Sequence, residues 1–130
     1  MKIGVPKEIK PQENRIGLTP ESVKILVSNG HEVLVENNGG FEAGFYNEQY
    51  KSAGAKLIDK AEDIFNDSEI IVKVKEPLTN EVKMIRENQI VFTYLHLAAA
   101  KELTEGLIKS KSVCIAYETV TDNNGRLPLL

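Results

Sequence analysis

The sequence contains one cysteine, no tryptophan and few aromatic residues, which make up 6% of its 130 residues. The lone cysteine, Cys114, excludes an internal disulfide and any metal site built from several cysteines. This cysteine usage is typical of a reducing compartment, so we expect a cytoplasmic protein. We also predict no metal site from the remaining residues.

Long apolar runs and an excess of basic charge are missing as well. No apolar stretch reaches the roughly 20 residues of a transmembrane helix, and the opening MKIGVPKEIKPQENR lacks the apolar core of a signal peptide. The 16 basic and 19 acidic side chains give a formal net charge of −3, whereas a nucleic-acid-binding surface needs a basic excess or a basic face. We therefore expect neither a membrane nor a nucleic acid as a partner.

The chain does contain alternating strand-like and helix-like segments. Segment 19–30 has the clearest helix signals, because Thr19 is a suitable N-cap, Pro20 occupies the first helical position and Gly30 ends the pattern. The other predicted helices are 47–54, 61–68, 79–88 and 99–111. The predicted strands are Lys2–Val5, Glu32–Glu36, 55–58, Glu69–Lys75, Gln89–Leu95 and Ser112–Glu118.

This alternation of strands and helices indicates βαβ units and a parallel sheet. The runs IIVKV and VCIAY are almost continuously apolar, as expected of strands covered on both faces. We predict an α/β domain of flavodoxin-like or Rossmann-like type, with an open, mostly parallel sheet and helices on both faces. The glycine-containing loop at 39–44 lacks the G-x-G-x-x-G spacing, so the dinucleotide-binding fingerprint is absent.

Ionisable side chains follow several of the predicted strands at the point where each strand ends. Lys75 ends the fourth strand, His96 follows the fifth, Glu118 ends the sixth, and Arg15 lies in the polar loop after the first. Ligands of open parallel sheets bind outside the carboxyl ends of the strands, so these four residues should converge on one crevice. An arginine fork suits a carboxylate ligand, and a histidine is the natural proton carrier near neutral pH.

Each of these residues also has an ordinary structural interpretation. Lys75 and Glu118 could be solvated strand ends, His96 a structural hydrogen-bonding group, and Arg15 a surface charge. One further observation favours a binding site, because Lys73 and Lys75 should lie on the same side of an extended strand. Two ammonium groups that close repel each other, and an anionic ligand would relieve the repulsion.

The segment GVPKEIKPQENRIGLTPESVKILVSNGHEV resembles the opening signature shared by alanine dehydrogenases and the α subunit of proton-translocating transhydrogenases. The matching residues are Gly4, Pro6, Glu8, Glu13, Arg15, Thr19, Pro20, Val23 and Gly30. The departures are Gln12, where asparagine is usual, and Ile16-Gly17 in place of Val-Ala. VKVKEPL, FTYLHLA and IAYETV resemble the alanine dehydrogenase branch, since the transhydrogenase branch typically lacks the histidine and the lysine-glutamate pairing. The resemblance covers essentially the whole chain in register.

The resemblance implies the reversible conversion of L-alanine, NAD and water to pyruvate, ammonium and NADH. Arg15 and Lys75 would then hold the carboxylate and carbonyl side of the substrate, His96 would be the acid/base catalyst, and Glu118 would line the substrate pocket. NAD would be bound mainly by a domain that this chain lacks, so its binding residues are unknown. Relatives of this kind are typically homo-oligomers, often hexamers.

By the same resemblance, residues 1–130 are expected to form the N-terminal substrate domain. The apolar ending RLPLL favours an excised or truncated chain, which alone would bind substrate weakly without turnover. Three alternatives stay open: a transhydrogenase α subunit, a saccharopine-type dehydrogenase domain, and a non-catalytic small-molecule-binding truncation. A flavodoxin-like phosphoacceptor domain fits poorly, because Pro6-Lys7-Glu8 replaces the acidic cluster expected after its first strand.

Overall fold

The structure, a computed structural model, describes residues 1–130 as six strands that alternate with five α-helices. The strands are β1 (Lys2–Val5), β2 (Glu32–Glu36), β3 (Lys56–Ile58), β4 (Ile70–Val72), β5 (Ile90–Thr93) and β6 (Val113–Ala116). The helices are α1 (Pro20–Ser28), α2 (Asn47–Ser52), α3 (Ala61–Asp67), α4 (Thr79–Val82) and α5 (Lys101–Ser110). None of these helices combines the length and the apolar character that crossing a membrane would require.

The six strands form one sheet in the order β3-β2-β1-β4-β5-β6, and every neighbouring pair is parallel. The predicted α/β fold with a parallel sheet is therefore confirmed. The chain runs outward from β1 to β3, returns to the other side of β1, and runs outward again to β6. Such a reversal opens a crevice at the carboxyl ends of the two central strands, β1 and β4.

Two apolar cores lie on opposite faces of the sheet. The first joins α1 and α2 to the sheet through the buried side chains of Val23 and Tyr50. The second joins α3 and α5 to the other face through Phe65 and Leu107. At Gly4 the contact between β1 and α3 is so close that an added Cβ would lie 2.3 Å from the Ser68 hydroxyl oxygen. Only glycine lets α3 approach the sheet this closely.

The first core does not extend to the far strands. Strand register places Val33, Ile3, Ile70, Ile90 and Val113 in one row across the sheet. Val33 and Ile3 are buried at 1% and 6% exposure, whereas Val113 is 49% exposed. Strand β6 is thus covered on one face only, which contradicts the expectation drawn from its continuous apolar run. Coverage of this face falls away outward from β4, whose Val72 still belongs to the first core at 7% exposure. We call the region from β4 to β6 the open half of the sheet.

The fourth strand and the fourth helix are shorter than the sequence predicts. Strand β4 ends at Val72 rather than at residue 75, because the chain bends where the Lys73 side chain turns inward to two carboxylates. Helix α4 ends at Val82 rather than at residue 88. The Arg86 and Gln89 side chains instead donate hydrogen bonds to the Phe65 and Ser68 carbonyls at the end of α3.

The fifth and sixth strands are also shorter than predicted. Strand β5 ends at Thr93, so His96 lies three residues beyond it. Strand β6 ends at Ala116, and Glu118 belongs to the 3-10 turn Tyr117–Thr119 that follows. The predicted strand-end residues therefore lie in the turns that leave the sheet rather than in the sheet itself.

Candidate functional site

A cleft of about 430 Å³ opens at the carboxyl edge of the sheet. Arg15, from the loop after β1, and Lys73, at the end of β4, contribute to its walls, as do Tyr94 after β5 and Tyr117 after β6. The cleft thus lies at the crevice that the reversal of strand order creates. Most of its lining is apolar or aromatic, and Arg15 and Lys73 are its cationic members.

The Arg15 guanidinium is held by Glu13. Its Nε and Nη2 groups donate to the two carboxylate oxygens at 2.9 and 2.8 Å. The Glu13 side chain is only 7% exposed, whereas that of Arg15 is 64% exposed. The hydrogen bonds from Arg15 lower the pKa of Glu13 to about 2, against the opposing effect of burial. One edge of the guanidinium is therefore occupied by Glu13 through Nε and Nη2, whereas Nη1 donates no hydrogen bond within the chain.

Lys73 has a different environment from the one expected. Its side chain is 1% exposed, and its ammonium pairs with Glu8 at 3.0 Å and with Glu81 at 2.8 Å. The same carboxylates accept the backbone N–H groups of Val74 and Leu78 at 2.6 and 2.9 Å. The charge that was expected to repel Lys75 and attract an anionic ligand is therefore already compensated by two carboxylates of the chain. Lys73 instead joins the loop after β1 to the end of β4 and to α4.

Lys75 lies two residues further on, in a half-buried turn. The Thr93 hydroxyl donates a hydrogen bond to its backbone carbonyl at 2.8 Å, which anchors this turn to β5. After the hydrogen bonds from Arg15, the Lys75 charge makes a smaller contribution to the lowered pKa of Glu13. Lys75 is thus a cation in the neighbourhood of the Glu13–Arg15 pair.

His96 and Glu118 are brought together by backbone hydrogen bonds. The N–H groups of Leu95 and His96 donate to Oε1 of Glu118 at 3.0 and 2.8 Å. Burial raises the pKa of Glu118, but these N–H groups and the nearby His96 outweigh it and lower the pKa overall. Glu118 therefore stays a carboxylate, and the bonds it accepts come from the main chain of the segment that carries His96.

An aromatic row connects His96 to the cleft. The Tyr94 ring lies parallel to the imidazole, with centroids 6.1 Å apart. Tyr117 packs against Tyr94 at 4.9 Å and against Phe92 at 4.2 Å. Burial, followed by the neighbouring Tyr94 and Glu8, raises the pKa of Tyr117 to about 12, so its hydroxyl stays protonated.

The residues that the sequence singled out therefore have unequal positions. Of the four, only Arg15 lines the cleft. His96 stacks on the lining residue Tyr94, Glu118 accepts the His96 backbone N–H, and Lys75 lies near the Glu13–Arg15 pair. Sequence reasoning assigned no role in the site to Glu13 or Tyr94. The position of Glu13, two residues before Arg15 in the polar loop, is the signal that could have identified it.

This geometry can be compared with that of known proteins. Residues 4–130 match the profile of the family described as alanine dehydrogenase/PNT, N-terminal domain.

The chain belongs to this family.

Named relatives give the same result. Over all 130 residues, the chain is 52% identical to alanine dehydrogenases of Staphylococcus epidermidis and of Bacillus subtilis. It is 47% identical over the same length to an alanine dehydrogenase of Methanococcus maripaludis. It spans 35% of the length of the first and last of these relatives and 34% of the Bacillus protein. The chain thus corresponds to about a third of each relative.

Solved structures agree with the assignment. An L-alanine dehydrogenase structure superposes with a TM-score of 0.95 at 52% identity, over 98% of this chain and 35% of the other. A transhydrogenase from Sinorhizobium meliloti superposes with a TM-score of 0.88 at 24% identity, over 95% of this chain and 35% of the other. The second similarity concerns the fold alone.

Proposed function

We propose that this chain is the substrate-binding part of an NAD-dependent L-alanine dehydrogenase. The overall reaction would convert L-alanine, NAD and water to pyruvate, ammonium and NADH. The observation that carries the proposal is the Arg15 guanidinium, which Glu13 holds by one edge at the cleft while Nη1 donates no hydrogen bond within the chain. A planar fork fixed in this way matches the two oxygens of a substrate carboxylate.

Lys75 and His96 would act on the other end of the substrate. The Lys75 ammonium, which has no carboxylate partner, would polarise the carbonyl or imine group that lies next to the bound carboxylate. His96 would move a proton as water adds and ammonia leaves. Such a proton transfer contributes a factor of about 10²–10⁴ to a reaction rate.

NAD would be the hydride acceptor, and residues 1–130 lack the glycine fingerprint expected of its binding site. A dinucleotide-binding unit has a glycine-rich turn leading directly from its first strand into a helix, whose N-terminus binds the pyrophosphate. Here β1 ends at Val5 and α1 begins at Pro20, and the connection passes through the Arg15 loop instead. We therefore assign NAD binding to a part of the enzyme outside residues 1–130.

The proposal extends to how the chain acts. Residues 1–130 would form the substrate domain, bind pyruvate or L-alanine weakly and show no turnover by themselves. This chain spans about a third of the length of its relatives, which supports the assignment of substrate binding and NAD binding to different parts of the enzyme. As in similar enzymes, we expect the complete enzyme to be a cytoplasmic homo-oligomer.

Two measurements test the proposal. The first is calorimetric titration of the chain with pyruvate, where Arg15→Lys should weaken binding about tenfold or more, since a charged hydrogen-bond pair is lost. Arg126→Lys, at an exposed arginine, should leave the affinity unchanged. The second is NADH formation with L-alanine by the full-length gene product. Absence of pyruvate binding together with absence of alanine-dependent NADH formation would contradict the proposal.

A further inference from the structure

The backbone of His96 has an unusual conformation. Its φ of 51° and ψ of 38° lie in the left-handed region, where a residue with a Cβ is strained. The other non-glycine residues with positive φ are Gln12, Asn38, Asn88 and Lys111. A strained conformation at this position persists only if the surrounding structure holds it in place.

Glu118 supplies that restraint from the turn after the neighbouring strand. Its Oε1 accepts the N–H groups of His96 at 2.8 Å and Leu95 at 3.0 Å, and its Oε2 lies 3.3 Å from the Leu95 nitrogen. Hydrogen bonds to an ionised carboxylate are stronger than those to a neutral acceptor. The Glu118 carboxylate thus binds the main chain at His96, the residue whose backbone adopts the left-handed conformation.

The direction of the imidazole depends on this backbone. The ring is stacked on Tyr94, with only 14° between the two planes, and Tyr94 lines the cleft. A return of His96 to an ordinary extended conformation would turn its Cα–Cβ bond away from this ring. A displacement of about 1 Å in a reacting group is enough to cost a rate factor of about 10².

We propose that Glu118 is a positioning residue for His96 and makes no contact with the substrate. The inference rests on the proposed function for its catalytic meaning. A direct contact with the substrate is disfavoured because the bonds the carboxylate accepts are from main-chain N–H groups, and because its negative charge would repel the carboxylate of the substrate. This role differs from the one that the family resemblance implies, in which Glu118 lines the substrate pocket.

The kinetic test uses the full-length enzyme with Glu118→Ala. A positioning role predicts a fall in kcat of about 10–100-fold with KM for pyruvate changed less than about threefold. Glu118→Gln, which keeps one acceptor oxygen, should recover part of the loss. A large rise in KM with kcat nearly intact would overturn the inference, since it would indicate a substrate ligand.

A double-mutant cycle separates positioning from a general effect on the fold. If Glu118 acts through His96, then Glu118→Ala should lower kcat no further once His96→Ala is present. An equal additional loss in that background would overturn the inference. Glu62→Ala, at an exposed carboxylate on α3, serves as the matched control and should leave kcat unchanged.

A spectroscopic measurement on the 130-residue chain does not depend on any activity. In a ¹⁵N–¹H spectrum, Glu118→Ala should move the amide signals of Leu95 and His96 and the imidazole signals of His96, whereas Glu62→Ala should not. Unchanged His96 imidazole signals would overturn the inference even if the enzyme is an alanine dehydrogenase. Shifted signals in a protein without alanine-dependent activity would instead contradict the proposed function and leave the restraint of His96 intact.

Discussion

The two halves of the sheet differ in how they are covered. Strands β1, β2 and β3 have helices against both faces, and their central residues, such as Val33 and Val35, are almost inaccessible to solvent. In the open half one face loses this cover outward from β4, and Val113 and Ile115 of β6 remain 49% and 42% exposed. Apolar burial is the main source of folding stability, so the covered half should contribute more of it.

The candidate site residues are distributed the other way, because most of them follow strands of the open half. The loop after β1, in the covered half, provides Arg15, whereas the turns after β4, β5 and β6 provide Lys75, His96 and Glu118. Binding of a fixed carboxylate is thus assigned to the half with the more complete core. The groups proposed to act on the carbonyl end of the substrate, Lys75 and His96, and the residue proposed to position His96, Glu118, follow strands of the half whose core is incomplete.

The largest expected effect concerns Lys73, where the two halves meet. Lys73→Met would leave the buried carboxylates of Glu8 and Glu81 without their cation, and breaking a buried ion pair in this way costs about 3–5 kcal/mol. Urea unfolding should show this loss, while Lys24→Met, at an exposed lysine on α1, should change stability by less than about 0.5 kcal/mol. Equal stability of the two variants would mean that the ion pairs do not hold the halves together.

A pair of matched valines tests the difference in coverage directly. Val33 and Val113 lie in the same row at opposite sides of the sheet, with 1% and 49% exposure. Val33→Ala should destabilise the chain by about 2 kcal/mol, from lost burial and the cavity left behind. Val113→Ala should cost less than about 0.5 kcal/mol. Similar losses of unfolding free energy would show that the exposed face of β6 is covered in solution.

The smallest expected effect is on the acid stability of the Arg15 loop. The folded pKa of Glu13, about 2, lies below its usual value of 4.5. The Glu13–Arg15 pair therefore contributes stability above about pH 4.5, which is lost as the pH falls towards 2. In an NMR titration, Arg15→Met should return the Glu13 pKa towards 4.5, whereas Arg126→Met should leave it low. A low pKa that survives Arg15→Met would mean that the backbone N–H of residue 15 and the Lys75 charge, rather than the guanidinium, lower the pKa of Glu13.

Much of the fold follows from local sequence signals. The Thr19-Pro20 start of α1 is confirmed, with the Thr19 hydroxyl oxygen accepting the Ser22 N–H at 3.2 Å. All six predicted strands are present. They could be predicted because a strand is signalled by an apolar run of neighbouring residues, which needs no information from distant parts of the chain. The ends of the elements were less predictable, as the premature end of β4 shows.

The errors share a physical cause, which is a partner distant in sequence. Lys73 leaves the strand because it meets Glu8, which lies 65 residues earlier. Glu118 accepts hydrogen bonds from backbone N–H groups 22 and 23 residues away. Nearly every residue has such a donor, so the residue types do not reveal which one is used. The sequence thus points to four candidate residues, but it does not distinguish a residue that contacts the substrate from one that positions another residue. Their roles in the reaction stay predictions.

The order of the strands has a consequence for folding during synthesis. The first three strands pair with sequential neighbours, so they can assemble with α1 and α2 while the rest of the chain is still being made. The other edge of β1 stays unpaired until β4 has been synthesised, because Ile3 of β1 pairs there with Ile70 of β4. Closing that long loop is the slow, entropically costly step. We expect this nascent edge to be the point at which the emerging chain is most open to misassembly.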